Sequence, residues 1–302
     1  MKYFNLILVL AFPTICFGQQ LPQYSGVNML MHLNNPSFIS QQPNFEINSF
    51  YRNQWTGFEN APKSFFIEAH NSLKSSKHYL GAYLYSDDVG LLYRKGLGLE
   101  YSYLMEIGDG KFLSSGLSFA LNSSGIKFNE LKLGEQNDPL TINQENLSTT
   151  IPDFNIGISY FSKKVFLGLS SNQVIANSRG ISKDNLKDSH SRHFYFDIGA
   201  NFKYQSFNFI PIINLKYSTF TPLSSLVMLK SKYKDKFWIN MAYRLSDSFI
   251  FGVGSILKDK VALEYNFDLT TSKLNTYNNG THELVLKVTL GNKKIEGTPS
   301  FY

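Results

Sequence analysis

Apolar and polar residues alternate with period two in many short segments from about residue 45 onward. In the segment 193–203, for example, Phe194, Phe196 and Ile198 lie on one face and Asp197 on the other. The same alternation recurs in the segments 95–105, 260–270 and 282–290. Such alternation predicts β-strands with one apolar and one polar face, and helical periodicity is nowhere sustained.

The alternating segments predict about fourteen strands, with boundaries uncertain by several residues. They are 45–53, 64–72, 78–86, 95–105, 112–123, 153–162, 165–173, 193–203, 207–217, 225–232, 236–245, 248–257, 260–270 and 282–290. We find no domain boundary and no repeat of fixed period among them.

The connections between consecutive predicted strands alternate between short and long along the chain. The even-numbered ones are tight turns, such as Gly108-Asp109-Gly110 and Lys258-Asp259. Most odd-numbered ones are longer, namely 54–63, 124–152, 174–192 and 271–281, and only the turn near Ser246-Asp247 breaks the rule. A soluble β-sandwich also shows alternation but has no reason to sort its loops in this way. The pattern therefore predicts an all-β transmembrane outer-membrane β-barrel of about fourteen antiparallel strands.

The first residues have the order of a secretory signal peptide: Lys2, then an apolar run over 6–12, then a small and polar stretch that ends near Gly18. Cleavage there would remove Cys16, the only cysteine of the chain. We therefore predict a signal peptide over 1–18, a periplasmic N-terminal segment or plug over 19–44, the barrel over 45–290 and a periplasmic tail over 291–302. The expected location is the outer membrane.

Composition agrees with a barrel. Aromatic residues make up 15% of the chain, while hydrophobic residues reach only 43%, as expected for aromatic girdles around a polar lumen. The formal net charge of +6 is a feature that nucleic-acid-binding proteins share. The basic residues are scattered singly between strands rather than clustered, so we expect no nucleic-acid partner.

The chain contains no Gly-x-Ser-x-Gly, P-loop or His-Glu-x-x-His motif, so we expect no enzyme, no cofactor and no metal. His190 and His193 lie three residues apart but lack further ligands nearby in sequence. Asp87-Asp88 is interpreted as part of a turn. Several charged residues fall on the polar strand faces and are expected to line the lumen, where they either tune a passage or plug it: Glu100, Asp197, Arg244, Glu264, Asp268 and Lys287.

One segment carries a more specific resemblance. It reads Tyr51-Arg52-Asn53-Gln54-Trp55-Thr56-Gly57-Phe58-Glu59-Asn60-Ala61-Pro62-Lys63. Further matching segments are Gln23-Tyr24, Asn35-Pro36, Pro152-Asp153-Phe154-Asn155-Ile156-Gly157 and His282-Glu283-Leu284. Together they resemble the PorP/SprF family of type IX secretion system membrane proteins. At the end of the chain, Ser300 stands where relatives have an arginine.

The resemblance implies an outer-membrane accessory protein that supports export or surface anchoring of a cognate adhesin. It implies as partners outer-membrane lipid, the secreted adhesin, type IX secretion components and a periplasmic peptidoglycan-binding protein. The alternative is an outer-membrane diffusion or uptake channel for small solutes. Conductance in a planar bilayer separates the two.

The resembling segment also supplies candidates for partner docking. Trp55 and Phe58 with Arg52 and Lys63 are expected to form an aromatic and cationic patch at the barrel rim. An interfacial girdle is the other interpretation of the same residues. The full candidate set is Tyr51, Arg52, Asn53, Gln54, Trp55, Gly57, Phe58, Pro62 and Lys63.

Overall fold

The computed structural model describes residues 23–73, 77–127, 147–175, 178–180, 187–189, 191–218 and 221–291. Fourteen antiparallel strands form a closed barrel, which confirms the predicted fold. They are β1 (Phe45–Asn53), β2 (Lys63–Ser72), β3 (His78–Val89), β4 (Leu92–Gly108), β5 (Lys111–Ile126), β6 (Leu147–Ser162), β7 (Val165–Asn172), β8 (His193–Ala200, continued as Phe202–Tyr204), β9 (Phe207–Ser218), β10 (Thr221–Tyr233), β11 (Phe237–Arg244), β12 (Ser248–Leu257), β13 (Val261–Thr270) and β14 (Thr281–Leu290).

The barrel closes between its first and last strands. β1 pairs with β14 from Phe45 opposite Leu290 to Asn53 opposite His282. A small two-stranded ribbon pairs 178–180 with 187–189 and forms a sheet separate from that of the barrel. No helix in the described ranges has the length and apolar character needed to cross a bilayer. Because the barrel closes, its strands leave no open edge.

The two faces of the wall have opposite chemistry. Large apolar side chains such as Leu99, Phe196 and Phe251 point outward, and Leu99 is 62% exposed. The six charged residues expected in the lumen are all buried inside the barrel, which confirms that prediction. An apolar outer surface around a polar inner one is the arrangement that a bilayer requires of a barrel.

Several strands run further than the sequence predicted, mostly at the end away from the tight turns. β3 and β4 continue to a turn at Gly90 and Leu91, so Asp87 and Asp88 pair within the ladder, and their assignment to a turn was wrong. β9 and β10 likewise lengthen until only residues 219–220 separate them. Polar strand ends that pass beyond an apolar zone can still hydrogen-bond across the ladder, so polarity alone did not mark where these strands stop.

Residues 23–44 lie inside the barrel, and we call this segment the plug. It contains two short 3-10 helices, Met31–Leu33 and Pro36–Gln41. Phe38 packs edge-on against Phe161 and Phe166 at ring-centroid distances of 5.6 and 6.0 Å. The plug thus gives the lumen an apolar core of its own, to which several strands contribute buried side chains.

Three glycines of the inner wall make room for the plug. A Cβ at Gly116 would lie 2.7 Å from Ser37 Cα, and one at Gly157 would overlap the Asn35 carboxamide. A Cβ at Gly168 would lie 2.6 Å from the Phe38 ring. Glycine in a strand interior is favoured where another part of the chain approaches closely.

The assignment of the faces can be tested by placing a charge on the outer one. Phe196→Arg, in the middle of β8, is expected to cost about 2–4 kcal/mol, because arginine at the bilayer midplane is that unfavourable. Phe237→Arg is the matched control, since Phe237 also faces outward but begins its strand beside a turn. Urea unfolding in lipid vesicles measures both. Equal costs at the two positions would contradict the assigned depth.

Candidate functional site

The rim loop, residues 54–62 between β1 and β2, contains most of the resembling segment. The Gln54 N–H donates to the Pro62 carbonyl at 2.9 Å and closes the base of the loop. The Phe58 N–H donates to the Trp55 carbonyl at 3.1 Å, which forms a tight turn inside it. Trp55 and Gly57 adopt positive φ angles of 51° and 89°. These contacts give the loop one defined path.

The rim loop is joined to the last long loop, residues 271–280. The Thr56 N–H donates to the Gly280 carbonyl at 2.8 Å, and the Asn279 N–H donates back to the Thr56 carbonyl at 2.7 Å. The Trp55 N–H donates to Thr281 Oγ1 at 3.0 Å. On the other side, the Gly90 N–H donates to the Asn60 carbonyl at 3.1 Å. The loop is therefore held from two directions and forms a rigid part of the rim.

A cleft of about 480 Å³ opens beside the rim loop. Phe58, Lys63 and Thr56 line it from the loop and the start of β2, and Asp88 and Lys127 line it from the neighbouring hairpins. Phe58 is a large apolar side chain that is 50% exposed, and it lies outside the lipid-facing wall of the barrel. The Lys127 ammonium and the Asp88 carboxylate lie 3.0 Å apart at the edge of the cleft. An exposed ring among charges of both signs suits contact with another protein.

The remaining docking candidates take different positions. Tyr51 is 48% exposed on the outer face of the wall. Asn53 pairs with Lys63 at the last rung between β1 and β2. Gln54 and Pro62 form the closing hydrogen bond of the loop. The structure therefore brings Gly57, Phe58 and Lys63 together at the cleft, whereas Trp55 lies in the same loop but does not line the cleft. Tyr51 faces outward on the wall.

Arg52 was wrongly grouped with the rim patch. Its side chain points into the lumen and is only 2% exposed. The guanidinium lies 2.8 Å from Asp268 and 3.0 Å from Glu283. Period-two alternation explains the correction, because β1 places Glu46, Asn48 and Arg52 on its inner face.

The charged cluster around Arg52 holds the start of the plug. The backbone N–H groups of Ser25 and Gly26 donate to the Glu283 carboxylate at 2.9 and 2.6 Å. Ser25 Oγ donates to Asp268 at 2.6 Å, and the second cation, Arg244, donates to the Tyr24 carbonyl at 2.8 Å. We call Arg52, Arg244, Asp268 and Glu283 the anchor cluster. Buried charges of both signs with several charge-assisted hydrogen bonds fix the plug to the wall.

Sequence reasoning found parts of the anchor cluster but not its role. Arg244 and Asp268 were expected in the lumen, and Glu283 belongs to a segment that carries the family resemblance. Ser25 and Gly26 were missed, because no local pattern connects them with strands more than 200 residues later. Their one signal is the neighbouring Gln23-Tyr24 pair of the resemblance.

The structure shows no metal centre in the ranges it describes, where no group of three or more His, Cys, Asp or Glu side chains is placed to hold an ion. His193 is buried in the lumen, and its Nδ1 lies 3.1 Å from Gln173 Oε1. His190 lies outside the described residues.

Solved structures similar to this chain include two channels and a transporter. A mutant of the monoaromatic hydrocarbon channel TodX is 8% identical, with a TM-score of 0.51, over 85% of this chain and 92% of that one. The toluene transporter TbuX of Ralstonia pickettii is 10% identical, with a TM-score of 0.51, over 88% and 93%. The monoaromatic hydrocarbon channel CymD is 10% identical, with a TM-score of 0.50, over 86% and 91%. At such identities the likeness shows the fold alone.

Sequence comparison gives the family. A search of curated protein sequences found no significant match. A family model described as "Type IX secretion system membrane protein PorP/SprF" matches residues 16–288, which is most of the chain. The barrel fold and this match agree on the outer membrane as the place of the protein. The chain belongs to the PorP/SprF family of type IX secretion system membrane proteins.

Proposed function

We propose that this protein is a non-catalytic accessory component of type IX secretion that binds a cognate secreted adhesin at its rim. The observation that carries the proposal is the rigid rim loop with its cleft, formed by the segment that gave the family resemblance. A preorganised surface loses little conformational entropy on binding. A few side chains contribute most of the binding energy of a protein interface, and aromatic residues are common among them.

The two ends of the barrel are proposed to have different partners. β1 begins and β14 ends at the tight-turn end, so the rim loop lies at the opposite end. Short turns face the periplasm in outer-membrane barrels, which would direct the rim loop to the cell surface. At the tight-turn end, Lys163, Lys164, Lys203 and Lys232 surround a cleft of about 790 Å³. This basic cleft is our candidate for contact with periplasmic secretion components and a peptidoglycan-binding protein.

The proposed orientation can be measured with cysteine labelling. Cys16 is the only cysteine of the chain and lies in the predicted signal peptide. A cysteine replacing Glu59, exposed in the rim loop, is expected to react with a membrane-impermeant maleimide on intact cells. A cysteine replacing Asp259, exposed in the turn after β12, is expected to react only after the cells are opened. The reverse pattern would invert the topology.

The docking role is tested with a double variant at the rim. Both Trp55→Ala with Phe58→Ala and deletion of the gene are expected to remove one or a few adhesins from the cell surface, while general type IX export is expected to continue. Each interface anchor commonly contributes about 2 kcal/mol or more, so losing two is expected to reduce surface adhesin at least about tenfold. Mass spectrometry of peptides shaved from intact cells provides the measurement.

Leu274→Ala with Tyr277→Ala is the matched control, since both side chains are exposed but belong to the neighbouring loop and not to the rim loop. The heat-modifiable mobility of the barrel on gels shows that each variant assembles. An unchanged surface proteome in the deletion strain, together with lost uptake of a small solute, would refute the secretion role and favour the channel. The plug disfavours that alternative, because it fills the described part of the lumen with buried side chains.

A further inference from the structure

The basic cleft at the tight-turn end has a composition that points to an anionic ligand. Its volume is about 790 Å³, which lies in the range of small-molecule sites. Lys163 and Lys164 line it from the turn between β6 and β7, and Lys203 lines it from the end of β8. We call these three residues the lysine trio. All three side chains are exposed, so their charges are accessible to a ligand in the cleft.

The positive charge of the cleft is not neutralised from within. Asp235 is the one acidic residue that lines it in the ranges that the structure describes. The Asp235 carboxylate already accepts a hydrogen bond from Asn208 Nδ2 at 2.7 Å, and the Lys232 ammonium lies 3.8 Å from it. The lysine trio forms no ion pair with a carboxylate of the described residues. Three ammonium groups are therefore available to one anionic ligand.

The wall of the barrel is interrupted beside the cleft. Pairing between β8 and β9 stops after Gly199 and resumes at Phe202. Pro211 of β9 lies opposite this gap and has no N–H to donate. The Asn201 N–H donates instead to the Lys164 carbonyl at 2.8 Å. This bond joins the turn that carries two lysines of the trio to the strand that carries the third.

An aromatic row on the outer face marks the depth of the cleft in the bilayer. It consists of Tyr204, Phe207, Tyr233 and Phe237, which follow one another as directly paired residues across β8, β9, β10 and β11. All four side chains are exposed. Aromatic residues concentrate where a barrel wall crosses the headgroup region. Lys203 directly precedes Tyr204, so the cleft opens at the level of the lipid phosphates.

We propose that the lysine trio binds the phosphate of an anionic phospholipid headgroup. The inference deepens the role proposed for the basic cleft and rests on the proposed orientation, in which the tight turns face the periplasm and the phospholipid leaflet of the outer membrane. Ammonium groups form charge-assisted hydrogen bonds with phosphate, and basic pockets of membrane proteins hold such headgroups. Phe202 also lines the cleft and is 61% exposed, so it offers an apolar contact to the lipid.

The experiment uses the full chain, purified from outer membranes in detergent, and native mass spectrometry with added lipid. The wild type is expected to bind phosphatidylglycerol at least about tenfold more tightly than the zwitterionic phosphatidylethanolamine, because only the former carries a net charge. Lys163→Gln with Lys164→Gln and Lys203→Gln is expected to weaken binding of phosphatidylglycerol at least about tenfold. Binding of phosphatidylethanolamine is expected to stay unchanged in this variant.

Lys77→Gln with Lys258→Gln and Lys260→Gln is the matched control. It removes the same charge from exposed lysines of two other connections at the same end of the barrel. The control is expected to bind phosphatidylglycerol as the wild type does. The heat-modifiable mobility of each variant shows that its barrel is folded. A control that loses as much affinity as the trio variant would show that net charge alone attracts the lipid, which would overturn the site.

Three further outcomes would overturn the proposal. The first is equal binding of the two lipids by the folded wild type. The second is displacement of phosphatidylglycerol by an equal concentration of sn-glycerol 3-phosphate, which would identify a soluble phosphate as the ligand. The third is a trio variant that keeps its lipid but no longer copurifies with periplasmic proteins, which would assign the cleft to a protein partner. Lipid binding in detergent does not depend on cysteine labelling or on the adhesin assay, so the lipid site and the proposed function can fail separately.

Discussion

Replacing Arg52 by methionine is expected to lower the free energy of unfolding by about 3–5 kcal/mol, because the change leaves buried carboxylates without their main cation. Asp268 and Glu283 lie 2.8 and 3.0 Å from the guanidinium and are almost fully buried. Arg244 contacts Asp268 at 3.3 Å, so Asp268 keeps a cation, whereas Glu283 keeps only its hydrogen bonds from neutral groups. Urea unfolding followed by tryptophan fluorescence in detergent measures the loss.

A second substitution separates charge imbalance from lost packing. Adding Glu283→Gln to the Arg52→Met variant removes the unpaired charge and is expected to recover part of the stability. Lys63→Met is the control for simple removal of a cation, since Lys63 is exposed and lies in the same segment. If Arg52→Met were no more destabilising than Lys63→Met, the anchor cluster would have no role in holding the plug.

The wall of the barrel could be predicted because its chemistry is local. Along each strand, neighbouring residues face opposite media, so the sequence itself records which side chains meet lipid. The same rule places Arg52 in the lumen, because Arg52 lies an even number of residues after Glu46 and Asn48, which face inward along β1. Grouping Arg52 with Trp55 and Phe58 followed nearness in sequence and ignored this alternation. The rim loop itself was located correctly because its Gly57 and Pro62 interrupt the strand pattern.

The interior could not be predicted in the same way, because its contacts join distant parts of the chain. Ser25 is separated from Glu283 by 258 positions, and Ser37 from Ser159 by 122. No periodicity within a strand carries information about such pairs. One signal was nevertheless present, since isolated glycines within predicted strands mark close approach of another backbone. Gly116 and Gly157 are such glycines, and both contact the plug.

The plug is also expected to decide whether the barrel conducts. Small barrels of about eight strands are filled by their own side chains, whereas barrels of about sixteen enclose a water-filled channel. With fourteen strands, this wall encloses more space than its side chains occupy, and the plug occupies much of the rest. The plug can be displaced most directly by enlarging Gly116 and Gly157, where it packs against the wall. A Cβ at Gly116 would meet the plug backbone, which cannot rotate away as a side chain can.

Gly116→Val combined with Gly157→Val is expected to displace the plug and convert a closed barrel into a conducting one. The new side chains would overlap the backbone at Pro36 and Ser37 and the Asn35 carboxamide, none of which can move aside without unseating the helix Pro36–Gln41.

Single-channel recording in a planar bilayer measures the conductance. Maleimide labelling of a cysteine at position 37, where Ser37 is buried in the wild type, measures displacement of the plug. Gly108→Val is the matched control, since a Cβ there meets only the Lys111 side chain at 3.7 Å or more. Protection of the Ser37 cysteine in a folded double variant would show that the plug tolerates both valines. A wild type that conducts as well as the double variant would show that the plug does not close the lumen, and the channel would then become the better account of this protein.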